Sequence, residues 1–338
     1  MPEIVIVGAG PGGLAAAKML AEAGKDVLVL ERNKIPGLKV CAGGLTNLEL
    51  SYGIPKSILE RQFNRILLDL EGTEVSLKDS GKIMCTVRRT NLGKFQAKQA
   101  QKAGAKIRYG TKVTEISKNF VKVGKEKIPF KFLIGADGSA SIVREYLGLK
   151  SDKLAIGIEY EVKGRFKDLE VIFNRKLFGS LYAWIFPYKN SAMIGAGCYS
   201  NEMSAAEIKK NLDEWCAEKG YRIKGKKLIA APLNMSYKGF KFKNVFLVGD
   251  AAGFTMDLTG KGMGPAIISG EEVAQRILDP KYDFPRIEEL LKNKASQEKF
   301  RGLIATQPYL TKFCYLLMPA LIHIPQVNHK ILRIAGLR

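Results

Sequence analysis

The sequence predicts an α/β protein in three parts: a parallel-sheet domain that is discontinuous in the chain, an inserted domain with an antiparallel sheet, and a C-terminal helical segment. Short, wholly apolar segments followed by glycine-rich turns and helices occur near both ends of residues 1–284, as in sheets that helices cover on both faces. Segments of alternating polarity dominate residues 151–239. We therefore expect domains at 1–150 with 240–284 and at 151–239, and a helical, basic segment at 285–338.

Composition and charge restrict the class of protein. The 338 residues are 46% hydrophobic and 26% charged, which is typical of a globular chain. Lys and Arg outnumber Asp and Glu by 54 to 33, a formal net charge of +21. This excess favours an anionic partner, such as a nucleic acid, an anionic membrane surface or a phosphorylated ligand. The alternative is a solvated, Lys-rich surface without a partner.

Cysteine and histidine usage argues against several kinds of site. The five cysteines are scattered and form no C-x-x-C pair, so we expect neither a disulfide framework nor a zinc site, and a reducing cytoplasm fits best. The two histidines lie near the C-terminus, which argues against a Ser-His-Asp triad or a His-based metal site. The apolar run at residues 4–7 is too short for a signal peptide.

The first thirty residues predict a Rossmann-like nucleotide-binding unit. The apolar strand Ile4–Val7 runs into a G-x-G-x-x-G turn, a helix follows over Leu14–Ala23, and the strand Asp26–Leu30 ends at Glu31. The motif glycines are Gly8, Gly10 and Gly13. They permit a tight turn, close approach of backbone to a pyrophosphate, and close packing of helix on strand. The helix N-terminus attracts phosphate and the acid binds ribose hydroxyls, so we predict a dinucleotide site for FAD or NAD.

The remaining elements follow from composition and spacing. Residues 36–60 are rich in glycine and proline, which predicts loop with at most one helix. In the first domain the other predicted strands and helix are Ile66–Leu70, Glu74–Leu77, Leu92–Ala103 (helix), Lys106–Tyr109, Val113–Ile116, Phe120–Val123 and Phe130–Gly135. In the inserted domain they are Ala155–Val162, Leu169–Phe173, Leu181–Phe186, Ala192–Cys198 and Ala205–Lys219 (helix). The strand Val245–Val248 and the helix Gly262–Leu278 complete the first domain.

Two later segments favour FAD over NAD. Residues 135–144, GADGSASIVR, resemble the D-G motif of flavoprotein hydroxylases, and residues 248–253, VGDAAG, resemble their motif in which an Asp holds the ribityl chain. Arg89 fits the arginine that precedes a helix, although Gly93 stands where an Asp is usual. Together the motifs resemble the FAD-dependent para-hydroxybenzoate hydroxylase superfamily, which implies FAD as cofactor. The implied cofactor contacts are Gly8, Gly10, Gly13, Glu31, Arg32, Cys41, Ala42, Gly44, Arg89, Val113, Asp137, Gly138, Gly249, Asp250, Gly262 and Met263.

The glycine-rich segment at residues 259–264 suits one end of a flavin. It places bare backbone N–H groups at the predicted start of a helix. Such groups stabilise negative charge, so this segment can hold the pyrimidine end of a reduced, anionic flavin.

A strand of alternating aromatic residues narrows the resemblance. Residues 182–187, YAWIFP, with the G-A-G at 195–197, resemble the Y-x-W-x-F-P…G-x-G motif of geranylgeranyl reductases, and residues 39–45, KVCAGGL, resemble a flavin-side segment of that family. Alternate rings share one strand face, so they can line an apolar tunnel, with glycines leaving room for a chain to pass. From spacing alone, an ordinary core strand remains an alternative. The predicted substrate pocket is Tyr182, Trp184, Phe186, Pro187, Gly195 and Gly197.

The resemblance implies an FAD-dependent reductase that saturates isoprenoid double bonds, foremost those of archaeal-type membrane glycerophospholipids. The electron donor stays open between NAD(P)H, ferredoxin or another donor, which includes a donor protein. Tyr182 or a bound water is the candidate proton donor, and Cys41 is expected to contact the flavin rather than to act as a nucleophile. The alternative is an FAD-dependent monooxygenase of an aromatic or polyprenyl substrate, which would require dioxygen. Charge alone suggests a nucleic-acid-binding flavoprotein, and no nucleic-acid motif accompanies it, so we predict no nucleic-acid partner.

The C-terminal segment contains the most apolar stretch of the chain, residues 308–325. Lys312, Pro319 and His323 interrupt it, which makes it a poor transmembrane helix. It can be a surface-lying anchor, a cover over the substrate tunnel, or a core helix of a C-terminal bundle. Lys330, Arg333 and Arg338 suit phosphate headgroups. With the net charge, this predicts a cytoplasmic protein held peripherally at the inner face of the membrane.

Overall fold

The first sheet of the protein has the predicted parallel core. The computed structural model describes residues 2–334 and 336–337, and Arg338 lies outside them. All neighbouring strands of this sheet are parallel except one edge pair, Lys241–Phe242 with Val245–Leu247. The strand order is Lys241–Phe242, Val245–Leu247, Phe132–Gly135, Ile4–Val7, Val27–Leu30 and Lys106–Arg108. The α/β class and the Rossmann-like domain are therefore confirmed.

Both faces of the first sheet are covered, which explains why its strands are apolar throughout. One face packs against three helices: Pro11–Glu22, Arg89–Lys102 and Met263–Leu278. The opposite face packs against a three-stranded sheet (Glu115–Ile116, Phe120–Val123 and Glu126–Pro129), the helix Ile142–Tyr146 and the start of a long C-terminal helix. The helices Pro11–Glu22 and Met263–Leu278 can approach closely because glycines lie where they meet. A Cβ atom on Gly270 would lie only 2.1 Å from the Gly12 carbonyl oxygen.

The second sheet has seven strands and is antiparallel with one exception. The strand order is Leu228–Asn234, Leu154–Lys163, Ser191–Tyr199, Ala183–Pro187, Glu170–Phe173, Arg65–Leu70 and Thr73–Lys78. Glu170–Phe173 and Arg65–Leu70 pair in parallel. The last two strands come from within residues 1–150, so the sheet is not built from residues 151–239 alone. These two strands form a hairpin that joins the sheet at Glu170–Phe173. The Leu67 N–H donates to the Leu169 carbonyl oxygen at 2.9 Å.

One face of the second sheet is covered by the helix Ala205–Glu218, which begins with a capping box between Ser204 and Glu207. The opposite face carries Glu159 and Trp184 and turns towards the loops of the first domain. A third, small sheet joins Gly44–Leu45, Met84–Val87 and Leu59–Phe63. It was not predicted, and its strand Gly44–Leu45 has only two residues, which leave no periodic signal. Short helices lie at Asn47–Leu50, Lys56–Ile58, Arg175–Phe178 and Gly249–Ala251.

The C-terminal segment is helical as predicted. Its helices are Pro285–Thr306, Pro308–Leu321 and Pro325–Ile334. Only Thr311 and Tyr315 are buried in the middle helix, so the interpretation as a core helix is wrong. Tyr315 and the partly buried Met318 pack at the Thr73–Lys78 edge of the second sheet, and most other side chains of the helix are exposed. Across the described residues, we find no helix with the length and apolarity needed to cross a bilayer.

Candidate functional site

The glycine-rich turn after the first strand is shaped by close backbone contacts. Gly8 has a φ of 103°, and a Cβ atom there would lie 2.4 Å from the Ala136 carbonyl oxygen. A Cβ atom on Gly13 would lie 2.2 Å from the Gly8 carbonyl oxygen. Gly10 precedes the helix Pro11–Glu22, whose first N–H groups lack intrahelical partners and point towards the turn. The arrangement presents the positive end of a helix where a pyrophosphate would bind.

Glu31 lies buried at the end of the strand Val27–Leu30, as predicted. Its Oε2 atom accepts the Ala9 N–H at 2.7 Å, and its Oε1 atom accepts the backbone and side-chain N–H groups of Asn33 at 2.8 Å. The carboxylate thus fixes the glycine-rich turn and remains beside the place expected for a ribose.

We expect Glu31→Ala to weaken FAD retention by about 10- to 100-fold, because hydrogen bonds to a charged group contribute roughly 1.5–3 kcal/mol. The measurement is the flavin absorbance that remains after dialysis. Glu22→Ala is the control, since Glu22 is an exposed residue of the helix Pro11–Glu22 and pairs with Lys18 one turn earlier. Equal flavin loss from both variants would contradict the assignment.

Asp137 of the D-G motif is engaged within its own loop. It accepts hydrogen bonds from the Ser141 hydroxyl at 2.6 Å and from the Ile142 N–H at 2.7 Å, which caps the helix Ile142–Tyr146. Burial raises the pKa of this carboxyl, and these hydrogen bonds oppose the rise. Gly138, with a φ of 80°, allows the turn between them. The motif therefore shapes the backbone beside Gly8.

Asp250 lies at the centre of the predicted cofactor residues. Its carboxylate forms an ion pair with Lys39 and accepts hydrogen bonds from Thr255 at 2.9 Å and Ser139 at 3.1 Å. Burial favours a higher pKa for Asp250, but Lys39 and the two hydroxyls lower the pKa below its ordinary value. A Cβ atom on Gly262 would lie 3.2 Å from this carboxylate. The ribityl-holding role predicted for Asp250 is compatible with an ionised side chain here.

Arg89 is another of the predicted cofactor residues, and it lies beside Met263. It is buried at the start of the helix Arg89–Lys102 and donates from Nη1 to the Met263 sulfur at 2.9 Å. Its Nε atom is buried without a hydrogen-bond partner in the described part of the chain. An unsatisfied guanidinium donor next to the loop at residues 259–264 fits a ligand rich in acceptors, such as the isoalloxazine of FAD.

The aromatic residues of the predicted pocket share one face of the second sheet. Ala183 and Ile185 point into the helix-covered core, and the residues alternating with them point away from it. Tyr182 and Trp184 pack edge to face with ring centroids 6.1 Å apart, and Phe186 packs over Gly44. The shared face is therefore confirmed, while the role of these residues in binding stays a prediction.

Gly195 and Gly197 do not leave a passage for a chain, as the sequence led us to expect. A Cβ atom on Gly195 would lie 2.5 Å from Trp184 Cζ2, and one on Gly197 would lie 3.7 Å from Trp184 Cζ3. The indole itself occupies the space over both glycines. In this chain the G-x-G part of the motif accommodates the tryptophan.

Tyr182 is poorly placed to give up a proton. Its hydroxyl donates a hydrogen bond to the Thr259 carbonyl oxygen, and burial raises its pKa. Burial also raises the pKa of the Cys41 thiol, against the opposing effect of Arg89, which agrees with the expectation that Cys41 is not a nucleophile.

Sequence reasoning missed two groups at this site. Lys39 lies in the quoted KVCAGGL segment, yet its ion pair with Asp250 joins residues 211 positions apart and leaves no local signal. Glu159 is buried beside Cys41. Its signal was available: an acid at the centre of a predicted strand, on the face opposite Ile158 and Tyr160.

The predicted cofactor residues form one continuous band with two exceptions. The band follows the carboxyl ends of the parallel strands, where ligands bind in open α/β sheets. Arg32 is exposed at its margin, and the Val113 side chain packs in the core beneath the first sheet. Contact with FAD stays a prediction for these two residues and for those of the band.

Comparisons with known proteins agree with this geometry. The family model of an FAD binding domain matches residues 1–278. The chain is 30% identical over 317 residues to digeranylgeranylglycerophospholipid reductase of Methanococcus vannielii, covering 83% of this chain and 78% of that protein.

Two solved structures share the fold. A geranylgeranyl bacteriochlorophyll reductase-like protein from Thermoplasma acidophilum is 21% identical with a TM-score of 0.77, covering 98% of this chain and 99% of that one. The p-nitrophenol 4-monooxygenase PnpA of Pseudomonas putida is 17% identical with the same TM-score of 0.77, covering 100% and 98%. The fold therefore does not separate reductase from monooxygenase. The sequence match does group the chain: it belongs to the FAD-binding domain family of flavoprotein oxidoreductases, and within it to the group of the digeranylgeranylglycerophospholipid reductases.

Proposed function

We propose that this enzyme reduces the isolated double bonds of geranylgeranyl chains in archaeal-type membrane glycerophospholipids. The names of its relatives support this substrate class. The observation that carries the proposal is a row of aromatic rings. The row runs from the loop at residues 259–264, which is predicted to hold the flavin, to the exposed apolar helix Pro308–Leu321.

The row consists of four rings at near-contact spacing. Centroid distances are 6.1 Å from Trp184 to Tyr182, 5.5 Å from Tyr182 to Phe173, and 6.4 Å from Phe173 to Tyr315. Tyr182 is tied to the loop at residues 259–264 through Thr259. Tyr315 belongs to the exposed helix Pro308–Leu321. A row of this kind suits a long, flexible hydrocarbon better than a compact phenol, because it offers apolar contact along its length.

The chain's own residues supply position and electrostatics. When bound, reduced FAD provides the hydride. Lys261, in the loop at residues 259–264, donates to the Gly336 carbonyl oxygen at 2.5 Å. Burial lowers the pKa of its ammonium to about 8, so the side chain stays mainly protonated at neutral pH. Its charge and the helix N-terminus that follows favour an anionic ring in this loop.

Mass spectrometry under anaerobic conditions tests the proposal. Dithionite-reduced enzyme is incubated with a geranylgeranyl glycerophospholipid, and we expect a gain of about two mass units for each double bond reduced. Product that forms only with added dioxygen and gains the mass of oxygen would instead identify a monooxygenase, the alternative that the fold permits.

The membrane surface is the second part of the proposal. Tyr309 is 90% exposed, Leu316 62% and Phe313 59%. Residues 299–338 contain no Asp or Glu, and Lys312 and Lys330 are exposed among them. An exposed apolar helix face with cations around it is suited to lie in an anionic lipid surface. We infer that it docks the enzyme peripherally at the cytoplasmic face of the membrane, where the substrate lies.

We expect the double variant Phe313→Asp, Leu316→Asp to lose binding to anionic vesicles, because it removes apolar area and adds negative charge. Binding should fall at least about tenfold, since each change costs more than 1 kcal/mol at such a surface. Vesicle flotation measures it. The control is Ile229→Asp. Ile229 is an exposed apolar residue on Leu228–Asn234, the edge strand of the second sheet that lies farthest from the helix Pro308–Leu321. Unchanged flotation of the double variant would contradict the docking face.

A further inference from the structure

One carboxyl group between the two sheets has no role in the function described so far. Glu159 lies in the middle of the strand Leu154–Lys163 and is 1% exposed. Its Oε1 atom accepts the backbone N–H of Cys41 at 2.9 Å. Its Oε2 atom is buried and has no hydrogen-bond partner among residues 2–334 and 336–337. Because a buried polar atom without a partner costs free energy, its presence requires an explanation.

Strand pairing and its hydrogen bond place this carboxyl beside Trp184 and beside Cys41 of the predicted flavin-side segment. Glu159 lies opposite Gly195, and Gly195 lies opposite Trp184. Directly opposed residues share one face of a sheet. The Trp184 Nε1 atom is also buried and forms no hydrogen bond within the described residues, but it lies close enough to this carboxyl to favour its ionised form. A buried acid and an indole N–H that face each other, beside the residues expected to hold flavin and substrate, place a titratable group at this site.

The surroundings keep a proton on Glu159 near neutrality. Burial raises the pKa of this carboxyl to about 7, and Glu161 on the same strand adds to the rise, while the Cys41 N–H and Trp184 oppose it. The other titratable groups facing it are the Cys41 thiol and the Tyr188 phenol. Burial raises the pKa of both, so both stay neutral. The acid is therefore protonated below pH 7 and loses its proton as the pH rises through 7.

We propose that Glu159 is the proton donor of the alkene reduction, an inference that rests on the proposed function. Saturation of an isolated double bond requires a hydride at one carbon and a proton at the other. The Glu159 O–H bond breaks as a C–H bond forms with the π electrons of the alkene, and a carboxylate remains. The second C–H bond forms with the hydride from reduced FAD, which is left oxidised. Water returns the proton to Glu159 after the saturated product leaves.

The decisive variant is Glu159→Gln, which keeps the size of the side chain and removes the acid. We expect it to retain FAD and to be reduced by dithionite as the unaltered enzyme is. In anaerobic single turnovers with a geranylgeranyl glycerophospholipid, its rate should fall about 100-fold or more, the range of a lost general acid. Glu161→Gln is the matched control, since Glu161 lies two residues away on the same strand, where its side chain is partly exposed and pairs with Arg88.

Two further measurements separate proton donation from a structural role. The single-turnover rate of the unaltered enzyme should fall as the pH rises through about 7, and Glu159→Asp should keep partial activity with a shifted pH profile. In the enzyme without substrate, the infrared band of a protonated carboxyl should titrate near the same pH. That band should be absent from Glu159→Gln and present in Glu161→Gln.

The outcomes distinguish the two proposals. If the unaltered enzyme reduces the lipid and Glu159→Gln reduces it at the same rate, the proton-donor assignment is wrong and the proposed function stands. An infrared band that fails to titrate, or that survives in Glu159→Gln, also overturns the assignment. If the unaltered enzyme leaves the lipid unchanged while holding reduced FAD, the proposed function fails and the inference fails with it.

Discussion

Arg144→Met should destabilise the protein more than any surface change, by about 3 kcal/mol. The side chain of Arg144 is 2% exposed. It donates to three backbone carbonyl oxygens: Ser236 at 2.7 Å, Lys150 at 2.9 Å and Ala251 at 3.1 Å. Methionine fills a similar volume but leaves the buried carbonyls of Ser236 and Ala251 without donors, and each such loss costs roughly 1–3 kcal/mol. Removing a buried charge offsets part of this, since burial already lowers the pKa of the guanidinium.

The three carbonyls explain why this loss also affects the site. Lys150 lies where the chain leaves the first domain, Ser236 where it returns, and Ala251 follows Asp250 directly. We therefore expect weaker FAD retention together with a lower urea unfolding midpoint. Arg222→Met is the control, because Arg222 is exposed and such changes alter stability by about 0.5 kcal/mol or less. Equal midpoints for the two variants would show that Arg144 does not tie these segments.

The first domain could be predicted closely because its signals are local. Ile4–Val7 was predicted without error, and Pro11–Glu22 and Met263–Leu278 to within a few residues. Each element has its own period, and the glycines at the turns mark where elements end. The hairpin at residues 65–78 was recognised as strands, but its membership of the second sheet was not. That pairing joins Leu67 to Leu169 across about a hundred residues, and strand patterns carry no information about distant partners.

At the site, too, residues with a local sequence signal could be predicted, and residues that depend on distant contacts were missed. Glycines and Glu31 could be placed because their chemistry depends on fixed spacing from a strand. Lys39 and Glu159 were missed, because each acquires its role from a partner more than a hundred residues away in the chain. The glycines at 195 and 197 were recognised as a motif but given the wrong reason. Whether a glycine makes room for a ligand or for a neighbouring side chain depends on packing, which spacing does not reveal.

The packing of Trp184 on these glycines leads to a paired prediction. Gly195→Ala would place its Cβ atom 2.4 Å from the Ile158 carbonyl oxygen and 2.5 Å from the indole. Both contacts are too short, so the indole and the paired backbone at Ile158 must both shift. We expect a loss of about 1–3 kcal/mol in unfolding free energy, the usual cost of overpacking, and altered Trp184 emission in a Trp215→Phe background. Turnover should fall about tenfold or more, because small misplacements at a reacting site are costly.

Gly197→Ala is the matched substitution two residues along the same strand. Its Cβ atom would meet the Ile156 carbonyl oxygen at 3.5 Å and the indole at 3.7 Å, which are ordinary contacts. Stability should change by about 1 kcal/mol or less, with Trp184 emission and turnover preserved. If both variants lost activity equally, open space over the strand would be the common requirement, and the role of the glycines as a support for Trp184 would be wrong. If only Gly195→Ala fails and its Trp184 emission changes, then displacement of the indole and of the paired strand at Ile158 accounts for the loss, because the two variants add the same methyl group to the same strand face.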